Sequence, residues 1–159
     1  GGLDTHFSDW KRQQAQRLLA GYDLLGDIIK HLKKRPVIEN GIATGESWLD
    51  RTLVVAYSEF GRTPALNSSG GRDHYPYGNL VCAGGPIAGN TLIGGSDDIS
   101  MTPYPVNPIT GDAVGHDDPG GVKIRPEDIH ATLLHLMGHS YDHLEQTSPT
   151  IIRAMGKNA

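Results

Sequence analysis

The chain has 159 residues and a formal net charge of −4, from 14 Lys and Arg against 18 Asp and Glu. That length suits one domain with a sizeable core, and an acidic balance with no basic stripe excludes the electrostatic footprint of a nucleic-acid binder. No apolar stretch approaches the roughly 20 residues of a membrane-spanning helix, and a single cysteine, Cys82, excludes an internal disulfide.

The chain opens Gly-Gly-Leu-Asp-Thr-His with no initiator Met, and reads as a fragment or a processed chain. Leu18, Tyr22, Leu25, Ile29 and Leu32 recur at spacings of three and four, which predicts an amphipathic helix over 9–34. Ser8 is its expected N-cap and Pro36 its stop. The basic run Lys30 to Arg35 complements the negative end of the helix dipole.

Residues 37–51 read as a loop with a Gly-rich stretch from Gly41 to Gly45. The run Thr52-Leu53-Val54-Val55-Ala56-Tyr57 is continuously apolar or β-branched, the pattern of an inner strand of a parallel sheet. Ser58-Glu59-Phe60-Gly61-Arg62-Thr63-Pro64 follows at its carboxyl end, where open α/β sheets place their ligands. Residues 65–79 form a Gly, Asn and Ser-rich loop that includes Gly71-Arg72-Asp73-His74.

A short strand over 79–83 places Cys82 among apolar neighbours, the setting of an inert thiol. Another is expected over 91–94. From 95 to 125 the chain is rich in Pro, Gly and Asp without a period, a length of loop that usually serves as a lid or a mobile region. The last element is a helix over 126–137. Pro126 suits its first position, Glu127 and Asp128 its positive end, and Gly138 its termination. Ile129, Leu133, Leu136 and Met137 form its expected core stripe. Helices alternating with buried strands define an α/β chain with a parallel-rich sheet flanked by helices. It is either one domain over 1–159 or the C-terminal portion of a larger one.

Three clusters carry chemistry. In Asp4-Thr5-His6 an extended segment points the carboxylate and the imidazole to one side, where they can share a cation or stand solvated. Glu59, at the end of a buried strand, requires a partner, either Arg62 or a metal ion. Arg62 either supports Glu59 or holds a phosphate or sulfate ester, whose oxygens its planar fork can grip in pairs. In Asp73-His74 both side chains ligate, or Asp73 orients a ligating His74, or the pair is exposed in a turn. Together Asp4, His6, Glu59, Asp73 and His74 supply a first shell for one or two divalent ions acting as Lewis acids. The remaining histidines are set aside: His31 and His143 as surface residues, His116 in the long loop, His130 and His135 on the last helix, and His139 beyond Gly138.

Gly2-Leu3-Asp4-Thr5-His6, the helix, the string Ser58-Glu59-Phe60-Gly61-Arg62-Thr63-Pro64, the Gly71-Arg72-Asp73-His74 turn and the helix from Pro126 to Thr132 resemble the bacterial family called domain of unknown function 1501. The resemblance implies an alkaline phosphatase-like fold related to the sulfatases, export, often with a twin-arginine signal, and a two-metal site that hydrolyses phosphate or sulfate esters. It places Asp4 and His6 at the first ligand pair, Glu59 where relatives carry an Asp-His pair, and His74 at the final His ligand. Two departures stand out. The superfamily's nucleophile lies in an N-terminal segment outside this sequence, and Glu59-Phe60 replaces a carboxylate–imidazole pair.

The expectation is a periplasmic or secreted metal-dependent hydrolase, with zinc, manganese, calcium or magnesium as cofactor and a small-molecule or polymeric ester as substrate. The rival is a non-catalytic exported protein that serves as a binding or structural module.

Overall fold

The computed structural model describes residues 3–142 together with Met155 and Gly156. The chain divides into two compact units, Gly1–Cys82 and Ala83–Ala159.

In the first unit, α1 runs from Trp10 to Lys34. Its N-cap is Asp9, which makes no side-chain capping bond, so the expected cap at Ser8 is displaced by one residue. The helix stops at Arg35, which lies extended before Pro36, as the proline ring requires. None of its 25 residues is buried. Leu25, Ile29 and Leu32 are half-covered, whereas Tyr22 is 55% exposed, so only part of the expected apolar stripe is packed.

The stretch read as a loop after α1 is a hairpin of β1 (Pro36–Glu39) and β2 (Ile42–Ser47). Asn40 and Gly41 both take positive φ, at 50° and 80°, the twist of a two-residue primed turn that joins antiparallel strands tightly. Val37 is buried at its base, and Arg51 closes the outside by pairing with Glu39 and Glu46.

β3 (Val54–Tyr57) pairs with β6 (Leu80–Ala83), and β4 (Gly61–Arg62) pairs antiparallel with β5 (His74–Tyr75). The expected parallel-rich sheet flanked by helices is therefore wrong. Among the described residues every sheet has two strands, and β1–β2 and β4–β5 are both antiparallel. No helix lies between β3 and β6, so the helical cover that a parallel sheet draws from its crossovers is missing there. The apolar run 52–57 is only half-covered, and Tyr57 at its end is 75% exposed.

In the second unit, residues 95–125 contain turns and isolated bridges. Asp97 accepts bonds from the Ser100 hydroxyl and from the amides of Ile99, Ser100 and Thr102. These bonds, the Ser100 hydroxyl foremost, hold its carboxyl well below the usual range. Val106 is buried and bridges both Ala113 and Val122. The strand expected over 91–94 does not form.

Helix α2 runs from Pro126 to Leu136, with Pro in its first turn and Gly138 just beyond at φ 76°. Its buried residues are Asp128, Ala131 and Thr132, while Met137 is 40% exposed. The covered face is thus rotated from the predicted stripe. Asp128 is tolerated inside because it accepts bonds from the Arg125 amide and from the Nε and Nη2 N–H groups of its guanidinium. Cys82 is half-covered, and burial pushes its thiol up. Among the described residues no helix is long and apolar enough to cross a membrane. His143 lies outside the described residues.

Candidate functional site

Two backbone registers assemble the site. Thr5 is 1% exposed, and its carbonyl accepts the Arg72 amide at 2.7 Å. Because neighbours alternate in an extended segment, burying Thr5 turns Asp4 and His6 outward on the opposite side. Phe7 bridges Gly70, and Gly71 lies so close to His6 that a Cβ there would sit 2.1 Å from the His6 carbonyl. The second register is β4–β5, which sets Arg62 directly opposite His74. Residues paired in this way share a face.

Asp4 Oδ1 lies 2.5 Å from His6 Nδ1 and also accepts the His6 amide at 3.0 Å. That amide, then the imidazole and the Arg62 guanidinium, hold the Asp4 carboxyl below the usual carboxylate range. Arg62 Nη1 is 3.3 Å from both ring nitrogens of His6, so the guanidinium lies against the ring rather than in line with one lone pair. The same nitrogen donates to the Arg72 carbonyl at 3.1 Å, and Arg62 Nη2 stands 3.7 Å from Asp4 Oδ1. The Arg62 side chain is 17% exposed. Its carbon also lies 5.3 Å from the Phe60 ring centre, within cation–π range.

The His74 ring stacks on Phe60 with centroids 3.7 Å apart and stands 4.9 Å from the His6 ring. Asp73 accepts a bond from Asn67 at 2.8 Å. Its backbone is clamped on Thr63, which donates its amide to the Asp73 carbonyl and accepts the Asp73 amide on its hydroxyl.

The chain thus brings Asp4, His6, Arg62 and His74 together and holds Asp73 through Asn67. Glu59 is exposed and has no hydrogen-bond or ion-pair partner among the described residues. Arg62, one of the two partners weighed for Glu59 from sequence, turns to Asp4 and His6 instead. The donors suit a divalent ion in kind, since carboxylate oxygen and imidazole nitrogen meet at Asp4 and His6. Among the described residues, however, no three His, Cys, Asp or Glu side chains are grouped to hold one ion. The arrangement is a carboxylate–imidazole pair, a second imidazole beside it, and a guanidinium resting on the pair.

Three supporting residues carry little signal in the sequence. Asn67 donates to the His6 carbonyl across 61 positions of chain, and Trp10 donates its indole N–H to the Gly70 carbonyl. Arg72 lies 4.8 Å over the Trp10 ring while its guanidinium donates to the Thr63 and Pro64 carbonyls. The one cue to Asn67 is its residue type in a Gly and Ser-rich turn, where a side-chain amide can bond the backbone two residues on.

These features define a mixed helix-and-strand chain in which a guanidinium and an imidazole on an antiparallel ladder meet a carboxylate and a second imidazole on the segment before α1. The chain belongs to the family described as protein of unknown function (DUF1501), whose model matches residues 44–151. The match takes in Ser58–Pro64 and Gly71–His74 and begins after Asp4 and His6. No curated protein and no solved structure matches the chain.

Proposed function

We propose that this protein is an exported, metal-dependent hydrolase of phosphate or sulfate esters, in keeping with its resemblance to the alkaline phosphatases and sulfatases. The observation that carries the reading is the meeting of Arg62 with Asp4 and His6 beside the His74 ring. A guanidinium is the side chain best matched to two oxygens of an ester anion, and here it stands beside groups that ligate divalent ions. Asp4, His6 and His74, with Asp73 and Glu59 as the further candidates, are the residues to hold zinc, manganese, calcium or magnesium. Such an ion supplies a Lewis acid and a hydroxide at neutral pH. Arg62 orients the ester anion, and Asp73 stabilises the segment that carries His74.

The test is metal analysis of the purified protein, followed by hydrolysis of aryl phosphates and aryl sulfates with added zinc or manganese. Stoichiometric metal, and loss of both metal and turnover in His74→Ala, are the expected results. Protein free of divalent metal, with His74→Ala hydrolysing as well as the unaltered chain, removes the proposal.

A second reading is favoured by the absence, among the described residues, of any three ligands grouped for one ion. In it the Asp4–His6–Arg62 contact is a fixed electrostatic joint in a non-catalytic binding module. Metal-free protein that melts at the same temperature with and without chelator is its signature, because a bound ion stabilises only the folded state.

A further inference from the structure

Asn67 uses every polar atom of its side chain. Its Oδ1 accepts the amides of Ser69 and Gly71, each at 2.9 Å. Its Nδ2 donates to the His6 carbonyl at 3.1 Å and to Asp73 Oδ1 at 2.8 Å. The orientation of the amide is settled by its surroundings, since a flipped group would set its N–H protons against two N–H donors and its oxygen against two acceptors. The first pair of bonds closes the turn. The second pair joins two segments that carry separate parts of the site.

We propose that Asn67 is a positioning residue: through its two Nδ2 protons it ties the His6 backbone to the Asp73 carboxylate, and so keeps the His6 and His74 rings adjacent. That these rings handle ligand rests on the function proposed above. The tie between them does not.

The rival is that Asn67 only shapes the loop through Oδ1. Asn67→Asp separates the two roles. A carboxylate still accepts the Ser69 and Gly71 amides but donates nothing, and it sets a second negative charge beside Asp73. The combined variant N67D/D73N reverses the polarity of that one bond, because the carboxamide then at position 73 donates to the carboxylate at 67.

The measurement is the nuclear Overhauser effect between the ring protons of His6 and His74 in the full chain, with backbone amide spectra of residues 68–71 reporting on the turn. The unaltered chain is expected to show the ring-to-ring effect. N67D loses it while the turn amides hold their positions, and N67D/D73N, which repairs the bond to position 73 but leaves the His6 carbonyl without its donor, does not regain it. An effect that persists in N67D, or is missing from the unaltered chain, overturns the proposal. Should N67D fail to fold or lose its turn, the combined variant decides. A turn that re-forms without the ring contact supports the tie, whereas ring contact regained without the His6 bond, or a turn still lost, overturns it.

Zinc titration separates this from the function reading. If the unaltered chain takes up zinc, N67D weakens it roughly 10–100-fold, as loss of a group that orients ligands does. If the unaltered chain takes up none, the metal reading falls, and the ring contact alone decides Asn67.

Discussion

The imidazoles of His6 and His74 lie with their ring centroids 4.9 Å apart, although one belongs to the first turn of chain before α1 and the other to β5. Neither local sequence nor a shared element explains the approach. It follows from two registers: Thr5 against Arg72, and Arg62 against His74.

Arg62 is the group most exposed to test by substitution. Arg62→Ala is expected to weaken inorganic sulfate or phosphate binding, measured calorimetrically at low salt, by about tenfold or roughly 1.4 kcal/mol. Arg62→Lys restores less than half of that free energy, because a point-charge ammonium cannot reproduce the planar fork. Equal affinity in all three proteins means that the anion goes elsewhere.

Gly71 is buried, and the close approach of the His6 backbone leaves no room for a side chain. Gly71→Ala must push the two segments apart or strain them, at an expected cost of about 1–3 kcal/mol for overpacking. The Tm should drop, with the Arg72 amide exchanging faster as its bond to Thr5 loosens. A melting curve that superimposes on the unaltered one contradicts the packing described.

Asp128 provides a pH dependence in the second unit. Its carboxyl, gripped by Arg125, is held below its ordinary value of 3.8. A group depressed in the folded state stabilises fully above the unfolded value, and the contribution is lost as pH falls through the folded one. Because the Arg125 side is half-exposed and screened by solvent, the expected contribution is about 1 kcal/mol. Melts from pH 6 to pH 2 should show a steeper acid loss in the unaltered chain than in Asp128→Asn. Parallel curves would rule out the pair as a source.

The four polar groups that the chain brings together stand out in the sequence, whereas Glu59, expected beside them, stays exposed, and the residues that support the group carry little signal. Asp4, His6, Arg62 and His74 stand out because carboxylate, imidazole and guanidinium in short glycine-flanked strings have few roles. Pro126 and Gly138 likewise mark α2 closely, since one presets the backbone angle of a first turn and the other takes the left-handed end. The run 52–57 misled because a stretch of apolar residues does not state how many neighbours a strand has. β3 pairs with one strand and stays half-covered. The hairpin 36–47 was hidden by glycines that suggest a loop, although Asn40-Gly41 is the dipeptide that a two-residue turn selects. For Asn67 the residue type hints at a turn, but its bonds to His6 and Asp73 could not be read, because those partners are set by the fold and not by spacing.

Thr5 is a small residue between two conspicuous ones, yet its concealment gives the segment its orientation. Extended chain presents alternate side chains to opposite directions, so a slip of one residue would bury a carboxylate or an imidazole and turn a hydroxyl toward water. The parity of a three-residue stretch therefore decides whether Asp4 and His6 have access to solvent at all, and any drift in that pairing would erase the surface without changing a single polar residue.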